Sequence, residues 1–380
     1  MSKLLKRMLR GTDWLYLLLC IVCSGLSVVG LGSWCMFLQN NTGGDINYRI
    51  AIVQAAAAGI GLVAAIVISY MDYHVIAHLW PLHAAASWLL VGSTFIWGYN
   101  PLDTTNRAWL ELPAGLSLQP SELAKISFII TFALHLSTVK EDLNRPSHLL
   151  LVLAHMLAPA LIIHLQGDDG TMLVFVIVAL CMLYAAGLSY KYMLLGVLAV
   201  AIAAPFVWPR LEPYQRDRVL ALFHQEDPEY AEILYQQLRG LISIGAGQIT
   251  GRGLFTGEHH YVPLAYNDFF FSYVSECLGF IGSVGVLLLL GALCIRTIHT
   301  GLRSADELGH YICIGVFGVL LAQTVINVGM NLTLLPVIGV TLPFFSAGGT
   351  SVVMLYLCMG VVLSVYRYQP RDLFDRKYNR

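Results

Sequence analysis

Five short segments hold the residues whose types could do chemistry. In VPLAYNDFFFSYVSE (262–276), Asp268 stands against three phenylalanines, with Glu276 two turns further on. An acid at the start of a helix can cap it by accepting from free backbone amides. In an aromatic, partly dry setting the same acid gains a raised pKa and can take a proton from a hydroxyl. Glu276 would then lie on a similar face at membrane depth, where an ionisable side chain is a functional candidate.

The second segment is QPSELAK (119–125), preceded by Arg107-Ala108-Trp109. Pro120 suits a first helical turn and Glu122 suits the positive end of the helix dipole. Lys125 suits neither the dipole nor a membrane, which disfavour it by about 0.3–1 and about 2.5–3.5 kcal/mol. It therefore needs an anionic partner, and Glu122, three residues earlier on the same face, can be that partner. The pair is either structural or an ammonium poised for a phosphate. In QGDDGT (166–171), Asp168 and Asp169 either form a solvated turn or place one acid toward the interior. Adjacent side chains point different ways, so at most one of them turns inward. The glycine-rich GAGQITGRGL (245–254) lacks the Lys-Ser/Thr ending of a P-loop, and could bring Arg252 near a phosphate. Finally, LPVIGVTLPFFSAGGTS (335–351) carries two prolines and several glycines between apolar runs. Irregular backbone at membrane depth requires protein or a cavity around it, so this segment is expected to be broken or re-entrant.

The elements that position these residues follow from composition. Of 380 residues 57% are hydrophobic and 12% charged, with mean hydropathy +0.69, which describes a polytopic membrane protein and an all-α one. A net charge of -1 provides no field for nucleic acid. Ten apolar runs are long enough to be candidate spans: 14–38, 50–70, 76–97, 123–138, 148–165, 171–189, 192–208, 269–295, 309–332 and 347–366. The first is too long for a cleaved signal peptide and is expected to remain as an anchor. Lys3, Lys6, Arg7, Arg10, Arg371, Arg376, Lys377 and Arg380 put both termini in the cytoplasm, and the inner loops carry Lys140, Arg145, Lys191, Arg296 and Arg303. Acids concentrate on the outer side, as do the long loops 98–122 and 209–268, so the chemistry is expected there. The stretch 221–240 mixes apolar and charged positions and is expected to lie along the interface. Cys20 and Cys23 have no second pair to complete a zinc site and read as buried small hydrophobes. His259 and His260 show no ligand spacing and read as surface residues. A single integral domain, 1–380, is expected.

Taken in order, these segments resemble the SEDS family of membrane glycosyltransferases, the group of RodA, FtsW and their sporulation relative, from about residue 12 to 368. QPSELAK, LPFFSAGGTS, Tyr235-Gln236 with the glycine-rich stretch, and NDFFFSYVSECLGFIG (267–282) carry the resemblance. It implies polymerisation of lipid II into glycan strands on the outer face of the bacterial cytoplasmic membrane, for cell-wall synthesis and cell shape or division. Asp268 matches the family's essential acid, which would deprotonate the acceptor hydroxyl. Lys125, with Glu122, matches the charge that meets the leaving diphosphate. Trp109 matches an outer-cavity tryptophan, with Ala108 where the family often has Arg and Arg107 one residue earlier, and Asp168 matches the acid of a Gln-x-Asp-x-Gly-Thr turn. The resemblance further implies a divalent cation, magnesium or manganese, and a monofunctional class B penicillin-binding protein as partner to lipid II and the nascent strand. Leu264, Tyr266 and Asn267 depart from the usual residues before the essential acid, as do Gly167 and Asp169 in the acidic turn. The Asp13-Trp14 start and short tails place the chain nearer RodA within the group.

Two other classes fit ten spans. A lipid II carrier would put its critical charges near the bilayer midplane, and an inactive scaffold would only dock the penicillin-binding protein. The charges here gather at the outer edge.

Overall fold

The computed structural model describes residues 11–42, 47–99, 107–256 and 258–369; the basic residues of both tails lie outside them, as do 100–106 of the first outer loop. Among the described residues there are thirteen α-helices and one small hairpin. In chain order the helices are α1 (Trp14–Thr42), α2 (Arg49–Ser69), α3 (Tyr73–His78), α4 (Trp80–Trp97), α5 (Pro120–Val139), α6 (Pro146–Leu165), α7 (Asp169–Ala185) and α8 (Tyr190–Val207). They continue with α9 (Pro213–Phe223), α10 (Ala231–Ala246), α11 (Phe270–Leu302), α12 (Glu307–Asn331) and α13 (Gly349–Arg367). Strands β1 (Leu110–Leu112) and β2 (Leu116–Leu118) pair antiparallel.

Each of the ten apolar runs is helical, the run 76–97 being divided between α3 and α4 at Leu79. Eight helices among the described residues are long and apolar enough to cross a membrane; α4 and the 17-residue α7 fall short of that measure. Prolines open α5, α6 and α9 at the position where a missing N–H costs nothing, and Asp168 and Asp306 cap α7 and α12. The core lies between α5, α7, α11, α12 and α13, where Phe128, Phe132, Phe175, Tyr311 and Tyr356 are fully buried. Helices α2 and α13 approach closely because glycines face the partner helix: Gly61 leaves room for Tyr356, and Gly360 lies against Ala65. Cys20 and Cys23 are buried in this packing.

Arg367 donates to Thr12 and stacks on Tyr70, and Arg296 pairs with the buried Asp13 at 2.7 Å. Both ends of the described chain therefore emerge on one side. The start of α11, with Asp268 just before it, lies at the opposite end of that helix from Arg296.

The long segment 209–268 is not a plain connection. It folds into α9, a single 3-10 turn and α10. The buried face of α10 (Leu234, Gln237, Gly240, Ser243) does not lie on lipid as its pattern suggests; protein covers it. Gly240 sits against Phe269 and Ser272, and Ser243 donates to the Ser272 carbonyl. After α10 the glycine-rich stretch docks on a break in α11. Gly279 has φ 66° and ψ -164°, which interrupts the helix and frees its backbone groups. Arg252 N donates to Glu276 O, Gly253 N to Cys277 O and Phe280 N to Gln248 O, so the freed groups are satisfied. A Cβ on Gly251 would stand 2.2 Å from the Cys277 carbonyl oxygen, so the contact requires glycine there.

The segment 332–348 is irregular, as its prolines and glycines imply, and is buried from Leu342 to Ser346. Side chains from five elements satisfy its backbone: Ser27 holds Phe345 O, Gln54 holds Ser346 O and Gly348 N, Arg218 holds Val337 O, Gln237 holds Leu335 O, and Asn327 holds Val340 O. Irregular backbone survives here because protein surrounds it.

Candidate active site

Helices α5, α7 and α11 all begin at one rim, and the irregular segment closes it. At the start of α5, Lys125 Nζ lies 2.6 Å from Glu122 Oε1, with both side chains buried. The expected (i,i+3) pair forms because burial removes water as the competing partner for either charge.

At the start of α7 the two adjacent acids part, as neighbours on a helix must. Asp168 turns inward, accepting from Thr171 N at 3.0 Å and from Gln119 Nε2 at 2.8 Å. Burial pushes its carboxyl up, against the Thr171 hydrogen bonds and the Lys125 charge that draw it down. Asp169 turns outward to His164 and to Gln215 of α9. Gln119 precedes α5 and makes no cap; its amide instead joins α5 to α7.

Asp268 does not cap α11. The N-cap position falls on Phe269, and Asp268 Oδ1 is shielded from solvent without a hydrogen-bond partner. Its pKa is pushed up to about 6, first by burial and then by the charge of Asp168. Oδ2 faces Gly339, where a Cβ would stand 3.9 Å away. Gly170 packs against the Ile338 carbonyl, so the irregular segment, α7 and Asp268 meet at one place. The structure thus gathers Glu122, Lys125, Asp168 and Asp268. A cavity of about 300 Å³ opens beside it, lined by Tyr214, Arg218, Glu232, Gln236, Gln237 and Val337, the last two residues before Gly339.

Arg107 and Trp109 flank this cluster by backbone: Arg107 N donates to Gln166 O, and Trp109 bridges Tyr99. Arg107 itself is exposed.

Glu276 and Arg252 stand apart from Asp268. The helical path from 268 to 276 turns their side chains to different neighbours, so the shared face read from the sequence does not form. Glu276 is fully buried and accepts from Ser243 Oγ, His260 N and His260 Nδ1, with Arg252 Nη1 at 3.6 Å. His259 is not a surface residue either. Its side chain is fully covered, edge-on to Phe37 and Tyr273. No spacing rule could reveal this, because Phe37 lies more than two hundred residues away in α1.

Sequence reasoning missed Asn327 and Asn331 of α12, both fully buried. Asn327 Nδ2 donates to Asp268 O and Val340 O, each at 2.8 Å; Asn331 Nδ2 donates to Asp268 O at 3.0 Å, while its Oδ1 accepts from Ser272. Three buried amides one turn apart on a mostly apolar helix, Gln323, Asn327 and Asn331, were the available signal.

Fold and site together define a multi-pass membrane protein whose buried Glu122–Lys125 pair and half-buried Asp168 and Asp268 gather at one end of its helix bundle. The model of the FtsW, RodA and SpoVE family, described as cell cycle proteins, matches residues 13–371, and the chain belongs to that family. It is 30% identical over 334 residues to stage V sporulation protein E of Bacillus subtilis, covering 85% of this chain and 88% of that protein. It is 31% identical over 280 residues to the peptidoglycan glycosyltransferase MrdB of Escherichia coli K12, covering 71% and 74%. Among solved structures, one described as a peptidoglycan synthase complex that coordinates polymerization and crosslinking matches at TM-score 0.79 and 28% identity, over 95% of this chain and 99% of that one. The rod shape determining protein RodA of Thermus thermophilus matches at TM-score 0.69 and 25% identity, over 95% and 98%.

Proposed function

We propose that this chain, a peptidoglycan glycosyltransferase, polymerises lipid II into glycan strands at the outer face of the bacterial cytoplasmic membrane, with both termini in the cytoplasm. The observation that carries this is Asp268: a shielded carboxylate oxygen with no partner, on a group whose pKa is about 6, at the rim where three helices begin. Such a group is ionised at neutral pH yet basic enough to accept a proton.

In this reading Asp268 takes the proton of the acceptor sugar hydroxyl as its oxygen attacks the anomeric carbon of the donor. The bond from that carbon to the lipid diphosphate breaks, so configuration inverts. Lys125, oriented by Glu122, meets the charge that develops on the diphosphate, and the positive ends of α5, α7 and α11 add to it. Trp109 and Arg107 flank the outer approach.

Asp168 and Asp268 repel, and one oxygen of the pair has no partner, which suits a divalent cation such as magnesium or manganese. No group of three or more His, Cys, Asp or Glu among the described residues would hold one alone, so substrate phosphates would complete its shell. When bound, it supplies charge neutralisation on the diphosphate. A class B penicillin-binding protein is the proposed partner, in keeping with the polymerisation and crosslinking joined in the similar synthase complex.

A lipid carrier fits less well, because the buried charges lie where helices begin and not midway along them. The test is polymerisation of purified lipid II with magnesium or manganese and a cognate class B partner. Wild type is expected to yield long glycan chains and a folded Asp268→Ala variant none; a folded wild-type complex that makes no polymer would return the choice to carrier or scaffold.

A further inference from the structure

Asp268 sits between two walls: its own turn, 263–269, and the irregular segment around Gly339. Neither is a regular element, so neither fixes its own position through a ladder of backbone bonds. Asn327, fully buried on α12, reaches both. Its single amide nitrogen carries two hydrogens, and each is spent on a different wall: one on Asp268 O, one on Val340 O. Its oxygen accepts from Asn331, whose own bonds to Asp268 O and Ser272 stay on the first wall. One further bond joins the walls, from Ala347 N to Tyr266 O, away from the acid.

We propose that Asn327 is a positioning residue for the reaction: it sets the separation between the Asp268 carboxylate and the Gly339–Val340 backbone, and so the opening in which an acceptor hydroxyl meets its base. This rests on the reading of Asp268 as that base. An opening whose two walls are irregular backbone drifts unless rigid elements hold both: α10 holds each wall at its far end, Gln236 at Pro263 O and Gln237 at Leu335 O, and Asn327 of α12 holds both beside the acid. The argument also explains a buried amide in a helix where an apolar residue would pack at less desolvation cost. Buried amides elsewhere in the molecule, such as Gln54 and Gln237, also use both hydrogens; Asn327 differs in that its two acceptors lie on opposite walls beside Asp268.

The test measures initial rates against lipid II concentration for the full chain with its class B partner, each variant normalised to its folded fraction by size-exclusion and thermal melting. Asn327→Leu removes both bonds and keeps the same branched, four-heavy-atom shape. Its kcat is expected to fall about ten- to a hundred-fold, the scale of a misplacement near 1 Å, with KM within about threefold. Asn327→Ser, whose hydroxyl can serve one wall, is expected in between, and it decides by the same criterion if the leucine variant fails to fold. A kcat per folded molecule within about twofold of wild type, or a raised KM at unchanged kcat, would overturn the assignment. Asp268→Ala runs alongside. If it is inactive while Asn327→Leu is normal, only the positioning role fails; if it retains wild-type rates, the base reading fails and the inference with it.

Discussion

Two carboxylates at the start of α11, Glu276 fully buried and Asp268 half-buried with one shielded oxygen, are treated in opposite ways. Glu276 is saturated: a serine, a backbone amide and a histidine donate to it, and Arg252 stands close. Asp268, eight residues earlier, keeps one shielded oxygen with no partner and faces the like charge of Asp168. Burial alone does not distinguish a structural acid from a reactive one. Satisfaction does: hydrogen bonds fix the place of Glu276, whereas the partnerless oxygen of Asp268 is left for a substrate group.

The strongest way to break this contrast is Asp268→Asn. The base contributes on the order of 10²–10⁴-fold, so polymer synthesis is expected to fall by at least about a hundred-fold in a gel-based chain assay. The same variant should be more stable at pH 7. With the folded pKa at about 6, above the ordinary carboxylate value, the folded state binds the proton more tightly, so this group's contribution to stability falls as pH rises from about 4 to about 6. Removing the charge should recover on the order of 1–3 kcal/mol, read as a higher melting temperature in detergent. An inactive variant that also melts lower would count against the contrast.

Lys125→Met probes the cation. Turnover is expected to drop on the order of 10²-fold, and the orphaned Glu122 should lower stability by about 3–5 kcal/mol. Adding Glu122→Gln should restore melting but not turnover; recovery of both would make the pair structural. For wild type, kcat is expected to decline about tenfold per pH unit below about 6, as Asp268 takes up its proton, and to be flat just above it. Glu276→Gln should show the smallest catalytic effect. It weakens charge-assisted bonds and is expected to cost about 1–3 kcal/mol in thermal unfolding, with activity per folded molecule within about threefold. A hundred-fold loss of activity at unchanged melting temperature would erase the distinction between the two acids.

Much of this protein was legible in its residues. The ten apolar runs are helical, with breaks at Leu79 and Gly279, because at membrane depth a chain must satisfy its own backbone and a helix does so locally. The Glu122–Lys125 pair was legible because helical spacing fixes it, and the parting of Asp168 from Asp169 because adjacent side chains diverge. The irregular 332–348 was legible from its prolines and glycines.

What tertiary structure alone decided were relations between distant segments. The glycine-rich stretch reads as a flexible loop and is in fact the splint for the break at Gly279, because its partners lie on the far side of a turn of about twenty residues. Arg252 and Glu276 were drawn away from Asp268 by that same docking. The amphipathic pattern of α10 specified a buried face but not what would bury it, since lipid and protein are equally apolar to a helix. Asn327 carried no motif in its own neighbourhood; its meaning lies in two carbonyls, one 59 residues before it and one 13 after, that only the folded chain brings to one amide. Local periodicity determines which elements form, and the partner of each polar group is fixed only when packing excludes water.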